Sequence, residues 1–309
     1  MSTITFQEVA VLWKEDKRRW VKTSTYATYI NHLNNHLLPY FGAMTPEGIS
    51  EEAVQEYVDR MLGRLSVGTI RDSLMILRMI LRFACKQCGW QGIEFHVHFP
   101  PEDGARDCIP VISPSDQKKL LTYLEGNFSF RNFGIILCLN TGMRIGEVCA
   151  LKWKDLDVEG GVVHVTKTLQ RIWLSDGTEH SYYLSMGSPK TATSNRDIPL
   201  SRELMKLVRP LRKVVSSDFY VVSNAAKPLE PRYYRDYFRK ILDRTGIPRV
   251  RFHALRHSFA TRCIESKCDY KTVSVILGHS SISTTMDLYV HPGFAEKKNC
   301  IEKMARSLR

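Results

Sequence analysis

Hydrophobic residues in the first ninety positions recur at the three- and four-residue spacing of amphipathic helices. The four predicted helices begin near Thr5, Ser24, Ser50 and Thr69. We expect Pro39 to stop the second helix, because proline lacks the N–H that a helix interior needs, and Gly89 to end the fourth. This pattern predicts a small all-helical domain.

The pattern changes after residues 93–112, which contain Pro100, Pro101, Gly104 and Pro110 without clear periodicity and which we interpret as a linker. A helix start follows at Ser113, where a capping side chain precedes a proline. Residues 133–139 are apolar on every face, as in a helix buried in a core. We therefore predict one domain over residues 1–92 and a second over 113–309.

Strand signals appear only in the second domain. Residues 161–168 alternate like a strand, and Asp176-Gly177 between two apolar runs predicts a hairpin. Residues 196–200 predict a short edge strand, because their proline cannot donate to a central ladder. From Ser201 onward the pattern is mainly helical, with room for one short strand at 219–222. The predicted fold class is mainly α with a small antiparallel β-sheet.

Length and charge add to this picture. A chain of 309 residues exceeds one average domain, which agrees with two domains that each bury a core. The net charge of +12 favours a polyanionic partner such as nucleic acid. No apolar run approaches the roughly 18 residues of a membrane-spanning helix, and the amino terminus lacks the layout of a signal peptide. We therefore expect a cytoplasmic protein that makes no membrane contact.

The eight cysteines are scattered along the chain, so we expect free thiols. Cys85 and Cys88 form the one local pair. This pair fits half of a zinc site, a redox motif, or plain packing at the end of a helix. No second Cys/His pair lies at zinc-finger spacing, which favours packing.

Basic side chains lie between the apolar positions of the helical domain. The candidates for DNA contact are Lys14, Lys17, Arg18, Arg19, Lys22, Arg71 and Arg78. They form either a solvated helix face or a surface that follows DNA phosphates, and the pattern alone supports both interpretations equally.

Arg144 and Lys190 are the first candidates for phosphate chemistry. Arg144 follows a buried helix and a glycine turn, where a guanidinium suits a bound phosphate better than a core. Glu147 lies three residues later and could hold Arg144 in place, the alternative being a solvated surface pair. Lys190 lies on a predicted turn, either as an exposed lysine or as a mobile general acid beside a leaving oxygen.

A second group of candidates lies near the carboxyl terminus. His253 and Arg256 are three residues apart, which places both on one helix face as fixed donors for a phosphoryl group. His279 follows a glycine at the end of a short apolar helix, where capping is the alternative role. Tyr289 either packs on a small helix or serves as a nucleophile, provided that nearby cations and a base favour its ionisation.

Together these motifs resemble the signature of the tyrosine recombinases, the phage integrase superfamily. The similarity rests on Thr-Gly-Met-Arg144-Ile-Gly-Glu, Pro-Lys190-Thr, His253-x-x-Arg256, Leu-Gly-His279 and Thr-Thr-x-x-x-Tyr289-x-His. It covers nearly the whole chain. It implies an all-helical, SAM-like core-binding domain before the linker and a mixed α+β catalytic domain after it.

The resemblance also implies roles for these residues. Tyr289 would attack a DNA phosphodiester to leave a 3′-phosphotyrosine and a free 5′-hydroxyl. The pentavalent phosphorane would be stabilised by Arg144, Arg256 and His279. His253 would assist proton movement, Lys190 would protonate the departing 5′ oxygen, and Glu147 would support the site. Neither a metal, ATP nor any other cofactor is implied.

The implied partners are double-stranded DNA and three further copies of the chain, which form a homotetramer on two recombination sites; a directionality factor is compatible with this assembly. An apolar stripe predicts a tail helix over 293–309 that docks either on its own protomer or on a neighbour.

Two other functions fit the same chemistry or fold: a type IB topoisomerase, and a DNA-binding regulator without strand transfer. Among recombinases, the extended hairpin favours a mobile-element integrase, whereas the lack of an arm-binding module fits an Xer-like or simple integrase.

Overall fold

The computed structural model describes residues 4–88, 94–101, 110–176, 179–188 and 192–289, with short pieces at 298, 301–302 and 304–306. The chain divides into two compact units. Unit 1 contains residues 1–106 and 172–183, and unit 2 contains residues 107–171 and 184–309.

Apart from the strand residues of the hairpin, the regular elements in the described part of unit 1 are helices. Its helices are α1 (Phe6–Trp20), α2 (Thr23–His32), α3 (Leu38–Phe41), α4 (Glu51–Met61) and α5 (Val67–Cys88). The predicted capping box begins α1: Thr5 accepts from the backbone N–H of Glu8, whose carboxylate accepts from the backbone N–H of Thr5. The apolar faces meet in one core, which includes Trp13, Phe41 and Tyr57.

The helical run that begins with α2 continues past Pro39, so the expectation that this proline stops it was wrong. A π-helical turn over Leu33–Leu37 joins α2 to α3, and the backbone N–H of Leu38 donates to the oxygen of Leu33. Pro39 then lies in the first turn of α3, where its missing N–H costs no helical hydrogen bond. The helix therefore continues to Phe41, which is buried in the core of unit 1.

Residues 94–99, which the sequence assigns to the linker, pack on α5. Phe95 is buried. The guanidinium of Arg78 lies 4.4 Å from the centroid of the Phe95 ring and donates to the backbone oxygen of Phe95. Arg71 lies over the ring of Phe99 at 5.0 Å. Apolar and cation–π contacts thus tie this segment to the first core.

Unit 2 contains the remaining described helices. They are α6 (Pro114–Gly126), α7 (Phe130–Thr141), α8 (Ile145–Ala150), α9 (Arg202–Arg212), α10 (Pro231–Thr245), α11 (Ala254–Glu265), α12 (Tyr270–Leu277) and α13 (Ile282–Tyr289). The helix predicted from the apolar run at 133–139 is α7, and it is buried on almost every side. It lies at the centre of the core of unit 2.

The described strands form two small antiparallel sheets. They are β1 (Leu156–Asp157), β2 (Val162–Val165), β3 (Thr168–Asp176), β4 (Glu179–Gly187) and β5 (Arg196–Pro199). One sheet has the order β1-β2-β5, and β3 with β4 forms the predicted hairpin. β5 lies at an edge, as its proline predicts, and its register pairs Ile198 with Val163 and Arg196 with Val165.

The short strand considered at 219–222 is not present. Tyr220 makes only isolated bridges, to Lys152 and to Ala225. Val221 and Val222 are both buried although they are consecutive, so this apolar run signals burial in the core and not one face of a ladder.

Within unit 1, the hairpin residues contact α2. Asn31 donates from Nδ2 to the backbone oxygen of Trp173 at 3.3 Å, and the Trp173 ring stacks on Tyr182. In the tail, residues 301–302 and 304–306 have helical backbone, and Ile301 and Met304 are exposed. Among the described residues, no helix combines the length and the apolar character that a membrane span requires.

Candidate active site

A glycine turn in unit 2 places the first candidate arginine. Gly142 ends α7 in the left-handed region, with φ of 66°. A Cβ atom at this position would lie 2.6 Å from Cδ1 of Phe259 on α11 and 2.7 Å from Cδ2 of Leu277 on α12. Glycine therefore allows both the turn and the close approach of three helices. Arg144 follows in extended conformation as the N-cap of α8.

Arg144 is held at three points, two through its side chain and one through its backbone N–H. Its Nη1 donates to Oε1 of Glu147 at 2.9 Å, and its Nη2 donates to the backbone oxygen of Gly278 at 3.2 Å. Glu147 also accepts from the backbone N–H of Arg144 at 2.8 Å through Oε2. The side chain of Arg144 is nevertheless 36% exposed. The guanidinium is therefore fixed in direction but remains accessible to a ligand.

Glu147 is buried, and Arg196 on β5 lies on its other side. Nη1 of Arg196 donates to Oε1 at 3.0 Å, and Nη2 donates to Oε2 at 2.9 Å, a bidentate pair. Burial acts to raise the pKa of Glu147, but the hydrogen bonds and charge of Arg196, together with the charge of Arg144, lower it below its usual value. Glu147 is therefore a carboxylate anion between two arginines.

Arg256 and His253 come from the amino-terminal end of α11. Arg256 is 2% exposed, and its Nη1 donates to the backbone oxygen of Gly142 at 2.9 Å. The His253 ring packs edge-on against His257, with 4.6 Å between the ring centroids, and the residue is exposed at the surface. Partial burial of this ring, and then the charges of His257, Arg256 and Arg144, lower the pKa of His253 to about 4. It is a neutral imidazole at neutral pH.

His279 follows α12, which ends at Gly278 with φ of 65°. Its Nδ1 lies 2.8 Å from Oγ1 of Thr285, a fully buried residue of α13. Partial burial, and then the charges of Arg256, Arg144 and Arg196, lower the pKa of His279 to about 4. Thr285 lies four residues, one helical turn, before Tyr289, which is the last residue of α13. His279 is thus hydrogen bonded to the helix that contains the candidate nucleophile.

The structure brings four of the predicted residues together. Arg144, His253, Arg256 and His279 are close enough for their charges to affect one another, and Glu147 lies behind them in the protein interior. Lys190 lies outside the described residues. The backbone of Tyr289 is described, but its side chain falls outside that description.

The predicted DNA contacts in unit 1 differ in exposure. Arg18, Arg19 and Lys22 are exposed, whereas Lys14 and Lys17 are half-buried. Arg71 and Arg78 lie over aromatic rings as described above, and only Arg71 is exposed. The end of α1 and the start of α2 therefore present the most accessible positive charge among these candidates.

Arg196 and Thr285 were not assigned roles from the sequence. Arg196 shares the buried face of β5 with Ile198, so its position in the two-residue strand period was visible, but its partner was not. Thr285 lies inside the motif that ends at Tyr289, and nothing in that motif marks it as buried. No group of His, Cys, Asp and Glu suited to a metal ion occurs among the described residues.

Two models of known protein domains match most of the chain. Residues 111–296 match the model of the phage integrase family, and residues 5–62 match the N-terminal SAM-like domain of phage integrases. A tyrosine recombinase XerC-like protein of Caldanaerobacter subterraneus subsp. tengcongensis is 26% identical over 92% of this chain and 78% of its own length. The transposase of transposon Tn916 from Enterococcus faecalis is 27% identical over 61% of this chain, which spans half of that protein.

Solved structures show the same fold. The Tn1549 transposon integrase in complex with transposon right-end DNA has a TM-score of 0.78 at 23% identity, and the comparison covers 98% of this chain and 100% of that one. A lambda integrase tetramer bound to a Holliday junction has a TM-score of 0.70 at 16% identity, over 95% of this chain and 80% of that one. At these identities the likeness concerns the fold.

Proposed function

The chain belongs to the phage integrase family of tyrosine recombinases, and we propose that it cuts and rejoins duplex DNA at specific sites through a 3′-phosphotyrosine on Tyr289. The observation that carries this proposal is the cluster of Arg144, Arg256, His253 and His279 in unit 2. Each arginine is anchored by a backbone carbonyl, Arg144 by Gly278 and Arg256 by Gly142. Fixed guanidinium groups suit the growing negative charge of a phosphorane, because they need no reorganisation during the reaction.

In the proposed reaction, Oη of Tyr289 forms a bond to phosphorus while the bond from phosphorus to the 5′ oxygen breaks. The phenolic proton passes to His253, which is neutral and therefore able to accept it. The negative phosphodiester raises the proton affinity of His253, because it offsets the neighbouring positive charges. Lys190 supplies the proton of the leaving 5′ hydroxyl. The phosphotyrosine preserves the bond energy for rejoining.

His279 has two parts in this proposal. Because its ring is neutral, one nitrogen donates and the other accepts. When the hydroxyl of Thr285 donates to Nδ1, Nε2 carries the hydrogen and donates to a nonbridging phosphate oxygen. The same hydrogen bond ties α13 to the site, one turn before Tyr289.

We assign the reaction to integration and excision of a mobile element. The similarity to the Tn916 transposase and the fold shared with the Tn1549 transposon integrase support this assignment. The XerC-like relative is similar over a larger part of the chain and favours the second candidate, resolution of chromosome or plasmid dimers.

By analogy with the lambda integrase tetramer on a Holliday junction, four copies of the chain would act on two sites. Mass photometry of Tyr289→Phe on a four-way DNA junction should show four protomers. Binding by single copies alone would refute the proposed tetramer.

The test uses nicked suicide duplexes drawn from the genomic sequence that flanks the gene. They are incubated with the wild-type protein and resolved on a denaturing gel. A covalent protein–DNA band is expected with wild type and absent with Tyr289→Phe. The matched control is Tyr270→Phe on α12, which removes the hydroxyl of another tyrosine in the same unit and should leave the band unchanged.

Persistence of the band in Tyr289→Phe would assign the nucleophile to another residue, and its loss in Tyr270→Phe would contradict the specific requirement for Tyr289. If the wild-type protein binds these duplexes in a salt-dependent way but forms a covalent band with none of them, the result would instead favour the DNA-binding regulator.

A further inference from the structure

Arg196 is a buried cation that the proposed reaction does not use. The residue is 8% exposed on the edge strand β5, where an apolar side chain would pack without any cost of desolvation. We propose that Arg196 is a positioning residue of the recombination site: through Glu147 and the end of α12 it fixes the direction of Arg144, and its charge offsets that of Glu147. This inference rests on the proposed function.

The first argument is geometric. The carboxylate of Glu147 receives both terminal nitrogens of Arg196, and each oxygen also accepts one hydrogen bond from Arg144. With Arg196 in place, rotation of the carboxylate would break the bidentate pair. The oxygen that receives Nη1 of Arg144 therefore has one fixed position, and the guanidinium of Arg144 is directed by a side chain that Arg196 immobilises.

The second argument concerns the end of α12. Nε of Arg196 donates to the backbone oxygen of Ile276 at 2.6 Å, two residues before Gly278, whose oxygen accepts from Arg144. The Cδ atom of Arg196 would lie 3.0 Å from a Cβ atom at Gly278. Arg196 thus bonds directly to one anchor of Arg144, the Glu147 carboxylate, and packs against the segment that supplies the other, the Gly278 carbonyl.

The third argument is electrostatic. A carboxylate paired with Arg144 alone would neutralise the charge that a phosphate must meet. Because Glu147 is shared with Arg196, the three groups together carry one net positive charge. Arg144 is the more exposed of the two arginines, with 36% of its side chain accessible against 4% for Arg196, so the remaining charge is available on the ligand side.

The test measures the single-turnover rate of covalent-complex formation at saturating suicide duplex, together with the Kd and the thermal unfolding curve, at a temperature where each variant is folded. Arg196→Gln should form the complex about 100-fold more slowly with little change in Kd, because a small misplacement of a catalytic group has an effect of this order. Arg196→Lys should not rescue the rate, because one ammonium group cannot donate to two carboxylate oxygens and a carbonyl in fork geometry.

Two further variants separate positioning from folding. The double variant Arg196→Gln/Glu147→Gln removes both charges, so it should regain thermal stability over Arg196→Gln and still cleave slowly. The control Arg171→Gln breaks a different ion pair of unit 2, the half-buried pair with Glu230, and should lower the unfolding temperature without changing the rate. Wild-type cleavage rates in the double variant or in Arg196→Lys would overturn the positioning role. A wild-type protein that forms no covalent complex would refute the proposed function itself.

Discussion

Gly142 offers a test in which backbone strain and packing can be separated. In Gly142→Ala the residue must keep φ near 66°, which costs an L-amino acid about 1–2 kcal/mol. Its new methyl group would also meet Phe259 at 2.6 Å and Leu277 at 2.7 Å, far inside normal contact distance. Overpacking of this kind typically costs about 1–3 kcal/mol. The two effects sum to a loss of about 2–5 kcal/mol in the free energy of unfolding.

The matched control is Gly161→Ala. Gly161 has nearly the same φ, 65°, and lies in the same unit, but a Cβ atom there would have no neighbour within 4 Å. This variant should therefore lose only the backbone part, about 1–2 kcal/mol. The difference between the two variants measures the packing of α7 against α11 and α12. Urea unfolding of both proteins gives the two free energies.

Cleavage should separate the variants further. The carbonyl of Gly142 accepts from Arg256, and Leu277 precedes the glycine whose oxygen accepts from Arg144. The methyl group therefore displaces the anchors of both arginines, and we expect covalent-complex formation to slow at least about tenfold under conditions where Gly142→Ala is folded. Gly161→Ala should cleave like wild type. Equal stability losses in the two variants, or a wild-type cleavage rate in folded Gly142→Ala, would refute the reasoning.

Two further predictions concern pH and salt. The pKa values of His253 and His279 are about 4 in the folded protein against 6.5 ordinarily, so the unfolded chain binds more protons between these values and stability should fall as the pH drops from 6.5 towards 4. Urea unfolding at pH 7 and about pH 5 should show this loss of stability in the wild-type protein. The variant with glutamine at both positions should lose less stability over the same pH range. An equal loss in the variant and the wild type would mean that neither ring resists protonation. Arg18→Ala and Arg19→Ala should weaken DNA binding and flatten the plot of log K against log salt by about 0.9 per lost phosphate contact, with cleavage at saturating DNA intact. A cleavage defect that persists at saturation would contradict this division between binding and chemistry.

Local signals were sufficient for most of the elements. The capping box at Thr5, the N-cap at Ser50 and the Asp176-Gly177 turn predict elements that the structure contains. The edge position of β5 also follows from one proline. These features depend on hydrogen bonds and backbone preferences within a few residues, so the sequence contains all the information that they need.

The same local rules failed where packing competed with them. Pro39 lies inside a continuous helix because a π turn precedes it, and Phe95 belongs to the first core although its segment has no helical or strand period. Both segments contain a buried aromatic ring with partners that are distant in sequence: Phe41 contacts Phe6 and Tyr57, and Phe95 contacts Arg78.

The sequence by itself determined the family, the order of the candidate residues and the chemistry that arginine, histidine and tyrosine could perform together. Only the tertiary structure decided which groups meet: Arg196 with Glu147, Arg256 with the carbonyl of Gly142, and His279 with Thr285. Two of these three contacts join residues 49 and 114 positions apart. The physical reason is that hydrogen-bond direction and desolvation depend on distances of a few ångströms between elements, and the spacing of residues along one chain does not specify those distances.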